Sequence, residues 1–339
     1  MSFIQAQDKY LKALEMHLRQ FNDIDLLKKR LTYSRWKVAE NLDKLLFEFE
    51  TNVKKNNGQI AWCPDAKNAL EQLNKHINNF NKVTFFKHNA VKHFVKYVNI
   101  AVPEPPDQPE VVVIGAKFTM ANSGSFYSVL ADSMEYQQVL KAKKIIVIAG
   151  VDSMIALQSE LYAAKQLYAL YETGNLHYPF ELLAKPGKLK GLQAEVILLL
   201  TDINKHALLE QPQHRALFNL LNFDLPPVCP MQRLSGLSVG WESKDTLSQL
   251  LATFIDPNKG KTFINHNYGL RLLNQFLPYD IDLYEHILML RSEHHQEDKK
   301  GFFSGFSDKD KSGVVLQPKK FKDPEKFEQY AQHHFGKII

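Results

Sequence analysis

Apolar side chains recur every three or four residues over the first part of the chain, which is the period of an α-helix. Residues 23–53 follow this spacing throughout, so the sequence predicts one amphipathic helix there, within a first sixty residues that are helical overall. The segment Asn56-Asn57-Gly58 supplies the stop signal, because glycine adopts a positive φ at low cost. The apolar positions of this helix are Ile24, Leu27, Leu31, Val38, Leu42, Leu45, Phe49 and Val53.

The pattern then changes to short strand-like runs separated by helical segments. The predicted strands are 59–63, 83–86, 111–114, 125–130, 144–149 and 195–200. The last four are continuous runs rich in β-branched residues or leucine, which is typical of strands buried on both faces. The predicted helices between and after them are 66–80, 90–97, 157–171 and 204–221. This alternation predicts a layered α/β fold with a mostly parallel sheet flanked by helices.

The same pattern divides the chain into four parts. Residues 1–58 form an N-terminal helical extension, and residues 59–235 form the α/β domain, with a proline-rich linker at 102–110 inside it. Residues 236–291 form a C-terminal helical segment, with helices predicted at 247–254 and 279–290. Residues 292–339 are rich in charged residues and predict a partly flexible tail.

Composition excludes several classes of protein. The net charge of the 339 residues is only +5, with no concentrated basic face, so no nucleic-acid partner is expected. The sequence contains no run of 18 apolar residues, so no membrane span is predicted. Its first residues lack the pattern of an export signal, so a cytoplasmic location is expected. The two cysteines, Cys63 and Cys229, are too few for a disulfide framework or for an iron–sulfur cluster held by four thiolates of this chain.

Three stretches, in this order and spacing, carry a resemblance to a known family. They are IGAKFTMANSGSF at 114–126, VIAGVDSMI at 147–155, and LLTDIN at 199–204 followed by EQPQHRA at 210–216. They resemble the lactate-utilisation (LUD) domain family, most closely its iron–sulfur B-type members, over about residues 27–235. The resemblance implies a fold like that of the sugar-phosphate isomerase and CoA-transferase group. It also implies a role in oxidising lactate to pyruvate within a multi-subunit cytoplasmic complex.

The chain departs from the B-type pattern where the cluster would be bound. Cys229-Pro230 matches the last Cys-Pro of the family's four-cysteine motif, but the other three positions are Asn219, Asn222 and Leu225. None of these three supplies the soft thiolate that iron–sulfur ligation requires. The resemblance therefore implies that Cys229 is a relic, with no cluster, no other metal and no cofactor expected.

Further departures fall at the positions that the resemblance implies for ligand binding. Asn122 replaces a glutamate in the glycine loop, Ser153 replaces a lysine after the middle strand, and the charged segment near the second strand is reduced to one beginning at Lys87. The loop still offers hydroxyls and backbone N–H groups to an anion. The predicted ligand-binding set is Gly115, Lys117, Asn122, Ser123, Gly124, Ser125, Gly150, Asp152, Asp202, Asn204 and Lys87.

Asp152 and Asp202 have a second interpretation. Each follows a predicted strand, where ligands bind in open α/β sheets, but each is also well suited to cap the helix that comes next. Both interpretations stay open at this point, and no catalytic residue is identified.

Together these features predict a divergent, cluster-free LUD-domain protein. It would act as an accessory or regulatory subunit in lactate or hydroxy-carboxylate utilisation, binding a small anionic metabolite or another lactate-utilisation subunit. One alternative is a metal-free enzyme of the sugar-phosphate isomerase or CoA-transferase type. Another is a purely structural protein that binds a partner through its terminal helices.

Overall fold

Helices and strands alternate along most of the chain in a computed structural model, which describes residues 3–20, 23–103, 106, 108–188, 194–202, 209, 215–220, 222–223, 274–283 and 285. The helices are α1 (Phe3–Gln20), α2 (Ile24–Glu40), α3 (Leu42–Lys55), α4 (Ala66–Ile77), α5 (Asn89–Val98), α6 (Ser133–Lys141), α7 (Leu161–Thr173) and α8 (Arg215–Leu220). The strands are β1 (Gln59–Cys63), β2 (Val83–Phe85), β3 (Val111–Gly115), β4 (Phe118–Met120), β5 (Ser125–Leu130), β6 (Lys144–Gly150), β7 (Met154–Ile155), β8 (Phe180–Ala184), β9 (Gly187–Lys188) and β10 (Glu195–Thr201).

The described residues fall into two compact units. One comprises residues 33–166 and 177–222, and the other takes its residues from 1–32, 167–176 and the chain from 223 onward. The first unit contains both sheets. The four-part division expected from the sequence remains a prediction.

A parallel sheet forms the centre of the first unit. Its strand order is β1-β10-β6-β3-β2, and only the short β9 pairs antiparallel, against the start of β10. This confirms the predicted α/β fold with a mostly parallel sheet flanked by helices. The register places Gly150 of β6 opposite Thr201 of β10, and Gly115 of β3 opposite Ile148.

Both faces of this sheet are buried, as the unbroken apolar runs predict. Alternate residues of a strand point to opposite faces. Val113 and Ile148 pack in one cluster with residues of α4 and α5, such as Phe94. Val112 and Val147 pack in the other cluster, which includes residues of α3 and of a second sheet. The continuous β-branched pattern is therefore the consequence of being covered on both sides.

The second sheet has four strands in the order β7-β4-β5-β8. The strand predicted at 125–130 lies in this second sheet as β5, and it pairs antiparallel with β4 and β8. Only four residues separate β4 from β5, and a parallel connection needs a dozen or more. The short strands β4, β7, β8 and β9 were not predicted.

The predicted single helix over 23–53 is two helices, α2 and α3. Asn41 interrupts them with φ −123° and ψ 24°, and its Nδ2 donates to the carbonyl of Lys37 at 2.9 Å. At the end of α3, Asn57 takes the positive φ of 56° that was expected of Gly58. Glycine is nevertheless required at 58, because a Cβ there would lie 2.6 Å from the carbonyl oxygen of Pro186.

The predicted helix over 157–171 begins four residues late, at α7. A short 3₁₀ turn, Gln158–Glu160, precedes it, and a side-chain oxygen of Glu160 accepts the N–H of Leu157 at 3.2 Å.

Of the predicted helix 204–221, the structure describes mainly α8. Asn204, Cys229, the helix predicted at 247–254 and the tail 292–339 lie outside the described residues, as does most of the helix predicted at 279–290.

The second unit is held by aromatic contacts. The Tyr10 hydroxyl of α1 donates to the carbonyl of Tyr171 at 2.7 Å, and Lys28 Nζ lies 4.6 Å from the centre of the Tyr171 ring. The hydroxyls of Tyr168 and Tyr279 share a hydrogen bond, and their rings pack edge to face. In the part of the chain that the structure describes, no helix has the length and apolar character needed to span a membrane.

Candidate functional site

Three neighbouring strands of the parallel sheet end at one edge, and polar residues follow their ends. The strands β3, β6 and β10 end at Gly115, Gly150 and Thr201. Lys117 follows the first of these ends and Asp152 the second. Because the carboxyl ends of parallel strands share an edge, and ligands in open α/β sheets bind there, this edge is the candidate site.

The turn after β6 is enclosed on several sides. Asp152 and Ser153 are 2% and 1% exposed. Arg35, which is fully buried on α2, donates through its two terminal nitrogens to the backbone carbonyls of Asp152 and Met154. The Ser153 hydroxyl lies 3.1 Å from the hydroxyl of Thr119 on β4. The turn is thus fixed from a helix on one side and from the second sheet on the other.

Two hydrogen bonds made by its backbone groups hold Lys117 just after the end of β3. It is 2% exposed, and its N–H donates to the carbonyl of Tyr127 at 2.7 Å. Its carbonyl accepts a hydrogen bond from the Asn222 side chain. Asn222 is one of the positions that the resemblance pairs with a cysteine of the B-type motif. Its amide makes a contact that a thiolate, which donates no hydrogen bond, would not make.

Asp202 and Lys87 lie at the same side of the sheet, after β10 and β2 respectively. Asp202 is half-buried, whereas Lys87 is exposed. The Thr201 hydroxyl, which is buried, donates to the carbonyl of Ala149 at 3.2 Å and ties the end of β10 to the end of β6.

The backbone N–H groups of the glycine loop between β4 and β5 already donate to carbonyl groups of the protein. Ala121 N–H donates to the carbonyl of Ile155 at 2.9 Å, and Asn122 N–H donates to that of Ala156 at 3.1 Å. Ser123 and Gly124 N–H both donate to the carbonyl of Met120, at 3.4 and 3.0 Å. An anion at this loop would therefore meet side-chain groups rather than a cradle of free N–H groups.

Helix α3 holds the other side of this loop. Asn52 Nδ2 donates to the carbonyl of Ala121 at 2.9 Å, and Asn56 Nδ2 donates to that of Ser123 at 3.1 Å. Gly124 has φ +64°, and a Cβ on it would lie 2.6 Å from the backbone nitrogen of Val53. The glycine is thus explained by a close approach of two backbones.

The structure therefore separates the predicted ligand-binding residues into two groups. Gly115, Lys117, Gly150, Asp152 and Asp202 lie at the sheet edge, whereas Asn122, Ser123 and Gly124 lie in the loop and Ser125 begins β5. The strand β4 stands between Lys117 and the loop, which corresponds to roughly 10 Å along the chain. The exposed Asn122 side chain accepts the N–H of Gln158 at 2.9 Å.

Two residues near the edge were missed by the sequence analysis. Arg35 follows Leu31 by four residues and precedes Val38 by three, so a charged residue on the apolar stripe of α2 was the available signal. His88 caps α5, where its Nδ1 accepts the N–H of Ala90 at 3.1 Å. It comes directly after the predicted strand 83–86 and Lys87, and no pattern in the sequence marked it.

Cys63 ends β1 at the same edge but is chemically quiet. It is 1% exposed, and burial, with a smaller effect of Asp65, raises the pKa of its thiol to about 12. The thiolate, which is the reactive and metal-binding form, is therefore scarce at neutral pH. Among the described residues no group of three or more His, Cys, Asp or Glu side chains is placed to hold a metal ion.

No family model and no curated protein matches the chain. A search of solved structures finds similarity to a crystal structure of a DUF162 family protein from Deinococcus radiodurans. The match covers 47% of this chain and 98% of that one, at 12% sequence identity and a TM-score of 0.34. DUF162 is the LUD domain family.

Proposed function

We propose that this chain is a cluster-free LUD-type protein that binds a small carboxylate at the carboxyl edge of its parallel sheet. In this proposal it serves as an accessory or regulatory subunit in lactate or hydroxy-carboxylate utilisation, beside other subunits of that system. The observation that carries the proposal is the burial of Lys117 and Asp152 at the ends of the adjacent strands β3 and β6.

The residues at the edge suit a hydroxy acid. A lysine ammonium group attracts a carboxylate, and the Asp152 carboxylate can accept a hydrogen bond from a ligand hydroxyl. The hydroxyls of Thr119 and Ser153 add donors and acceptors beside them. Interactions between charges at a buried edge are screened less by salt than at the surface, so few contacts suffice for a small ligand.

The absence of a cluster from the proposed function rests on ligand chemistry. Asn219, Asn222 and Leu225 stand where the B-type pattern has cysteines, and Asn222 uses its amide to hold the carbonyl of Lys117. Iron and acid-labile sulfide analysis after anaerobic purification tests this part. We expect neither in stoichiometric amount, and one cluster per chain would contradict it.

The ligand proposal is tested by calorimetric titration with L-lactate and pyruvate, using lactamide as the uncharged comparison. We expect saturable binding of the acids, at least a tenfold weaker affinity in Lys117→Met, and unchanged affinity in Lys143→Met, whose side chain is exposed. If the acids fail to bind while sugar phosphates or CoA esters raise the melting temperature, the isomerase or transferase alternative replaces this proposal.

A partner-binding role is a second candidate, because α2 and α3 expose large aromatic side chains. Tyr33 and Trp36 are 56% and 46% exposed, and Phe47 is 72% exposed. Sedimentation equilibrium over a hundredfold concentration range tests whether the chain associates with itself. Under this candidate, Phe47→Ser would weaken association without altering lactate affinity.

A further inference from the structure

Arg35 is a buried charge without an acidic partner among the described residues. Its side chain is fully buried, and its two terminal nitrogens donate to the carbonyls of Asp152 and Met154. Its Nε is buried and has no hydrogen-bond partner. The guanidinium is therefore held by two carbonyl dipoles rather than by a carboxylate.

Burying a charge in this way is unfavourable unless an opposite charge compensates it. A carbonyl carries only a partial negative charge, so two of them offset part of the guanidinium charge. The remaining positive charge acts through a low-dielectric interior, where screening by salt is weak. An anion at the neighbouring sheet edge is the group that would complete the compensation.

The other charged groups at this edge are of both signs. Among the described residues, the ionisable side chains buried there are the cations Arg35 and Lys117 and the acid Asp152, and the half-buried Asp202 adds a second carboxylate. Arg35 is the cation that is held by two carbonyls and by no described carboxylate, so its charge is the one that an anion would compensate.

We propose that Arg35 is the positioning residue of this edge and the fixed positive charge that makes it prefer anionic to neutral ligands. The inference rests on the proposed function and names a determinant of its ligand class, namely small carboxylates. Arg35 holds the turn that presents Asp152, and it does so from a helix that the ligand itself need not touch.

Arginine fits this role better than lysine for two reasons. Its guanidinium stays protonated in any protein environment, so the charge does not depend on pH. Its planar fork presents parallel N–H groups to two acceptors at once, which matches the carbonyls of residues 152 and 154. A lysine would keep the charge and lose one of the two fixed contacts.

The test compares Arg35→Met and Arg35→Lys with Arg30→Met. The last is a matched control, because Arg30 lies on the same helix and is exposed. Each variant of the full chain is titrated with L-lactate and with lactamide. We expect Arg35→Met to weaken lactate binding at least tenfold and to abolish the preference over lactamide. We expect Arg35→Lys to keep that preference within about threefold, and Arg30→Met to match the unaltered protein.

Hydrogen exchange of residues 151–155 provides a readout that does not depend on ligand. Both Arg35 variants should exchange faster than Arg30→Met in this segment, because the turn has lost one or both clamping bonds. Unchanged exchange in Arg35→Met would overturn the positioning role.

The outcomes separate this inference from the proposed function. If the unaltered chain binds lactate and folded Arg35→Met binds it equally well, Arg35 does not set the charge of the site and the proposed function survives. If the unaltered chain binds neither L-lactate nor pyruvate, both the inference and the proposed function fail. If Arg35→Met does not fold, Arg35→Lys decides, since loss of the preference for lactate there would contradict a role for the charge alone.

Discussion

The ring of His88 occupies the space that a side chain at position 115 would need. A Cβ built on Gly115 would overlap the Nδ1 of that ring. The same Nδ1 accepts the backbone N–H of Ala90, 3.1 Å away, and so caps α5. Since a backbone N–H can only donate, Nδ1 is the acceptor in this cap, and it is also the atom that a Cβ at position 115 would meet first.

Gly115→Ala should therefore destabilise the fold by about 2 kcal/mol, through the displaced ring and the lost cap. Urea unfolding monitored by circular dichroism measures the change. In a His88→Ala background the same glycine substitution should cost much less, because the ring is gone. Additive effects of the two substitutions would show that the two residues do not compete for one space.

Substitutions by alanine at Gly124 and Ser123 should have very different effects on stability although the two residues are neighbours. Gly124→Ala combines a positive φ with a Cβ placed against the backbone of α3, so we expect a loss of about 3 kcal/mol in the free energy of unfolding. Ser123→Ala removes a hydroxyl that is buried without a hydrogen-bond partner, so its effect should stay within about 0.5 kcal/mol. Chemical denaturation of both variants measures this contrast, and equal losses would contradict it.

Lys28 should make the stability of the protein rise with pH in the alkaline range. Burial lowers its pKa from 10.5 to about 8, against smaller opposing effects of Asp25 and Asp280. Below pH 8 both folded and unfolded chains hold the proton, and the folded chain bears the cost of the buried charge. Between pH 8 and 10.5 only the unfolded chain still holds it, so the free energy of unfolding rises by about 3 kcal/mol.

Subtracting the stability of Lys28→Met at each pH isolates this contribution from those of other groups. Burial raises the pKa of the underlying Tyr171 phenol, so that ring stays neutral over the same range. The exposed neighbour Lys29 provides the control, and Lys29→Met should keep the pH dependence of the unaltered protein. A difference that stays flat or falls with pH would refute the prediction.

Cys63 should resist alkylation as long as the protein is folded. With a thiol pKa of about 12 and almost no exposed surface, its reaction with iodoacetamide at pH 8 should be at least about a hundredfold slower than in the urea-unfolded chain. Mass spectrometry of the peptide that contains Cys63 measures both rates. Similar rates in the two states would mean that the end of β1 opens readily.

Local pattern was sufficient for most of the parallel sheet. The strands β3, β6 and β10 carry unbroken apolar runs at 111–114, 145–149 and 196–200 because helices or a second sheet cover both faces, so they were recognised without knowledge of the fold. The strand β4 was missed, because three residues are too few to show a period. The break at Asn41 was missed as well, since the apolar spacing continues across it.

The sequence by itself determined the α/β class, the strands of the parallel sheet and the presence of Lys117 and Asp152 at strand ends. It did so because a strand that is buried on both faces needs apolar residues at consecutive positions, a pattern that is visible in the local sequence. Only the tertiary structure decided that the glycine loop bonds to α3 and β7, and that Arg35 reaches the turn after β6. Those contacts join residues up to 119 positions apart, and no local period reports on them.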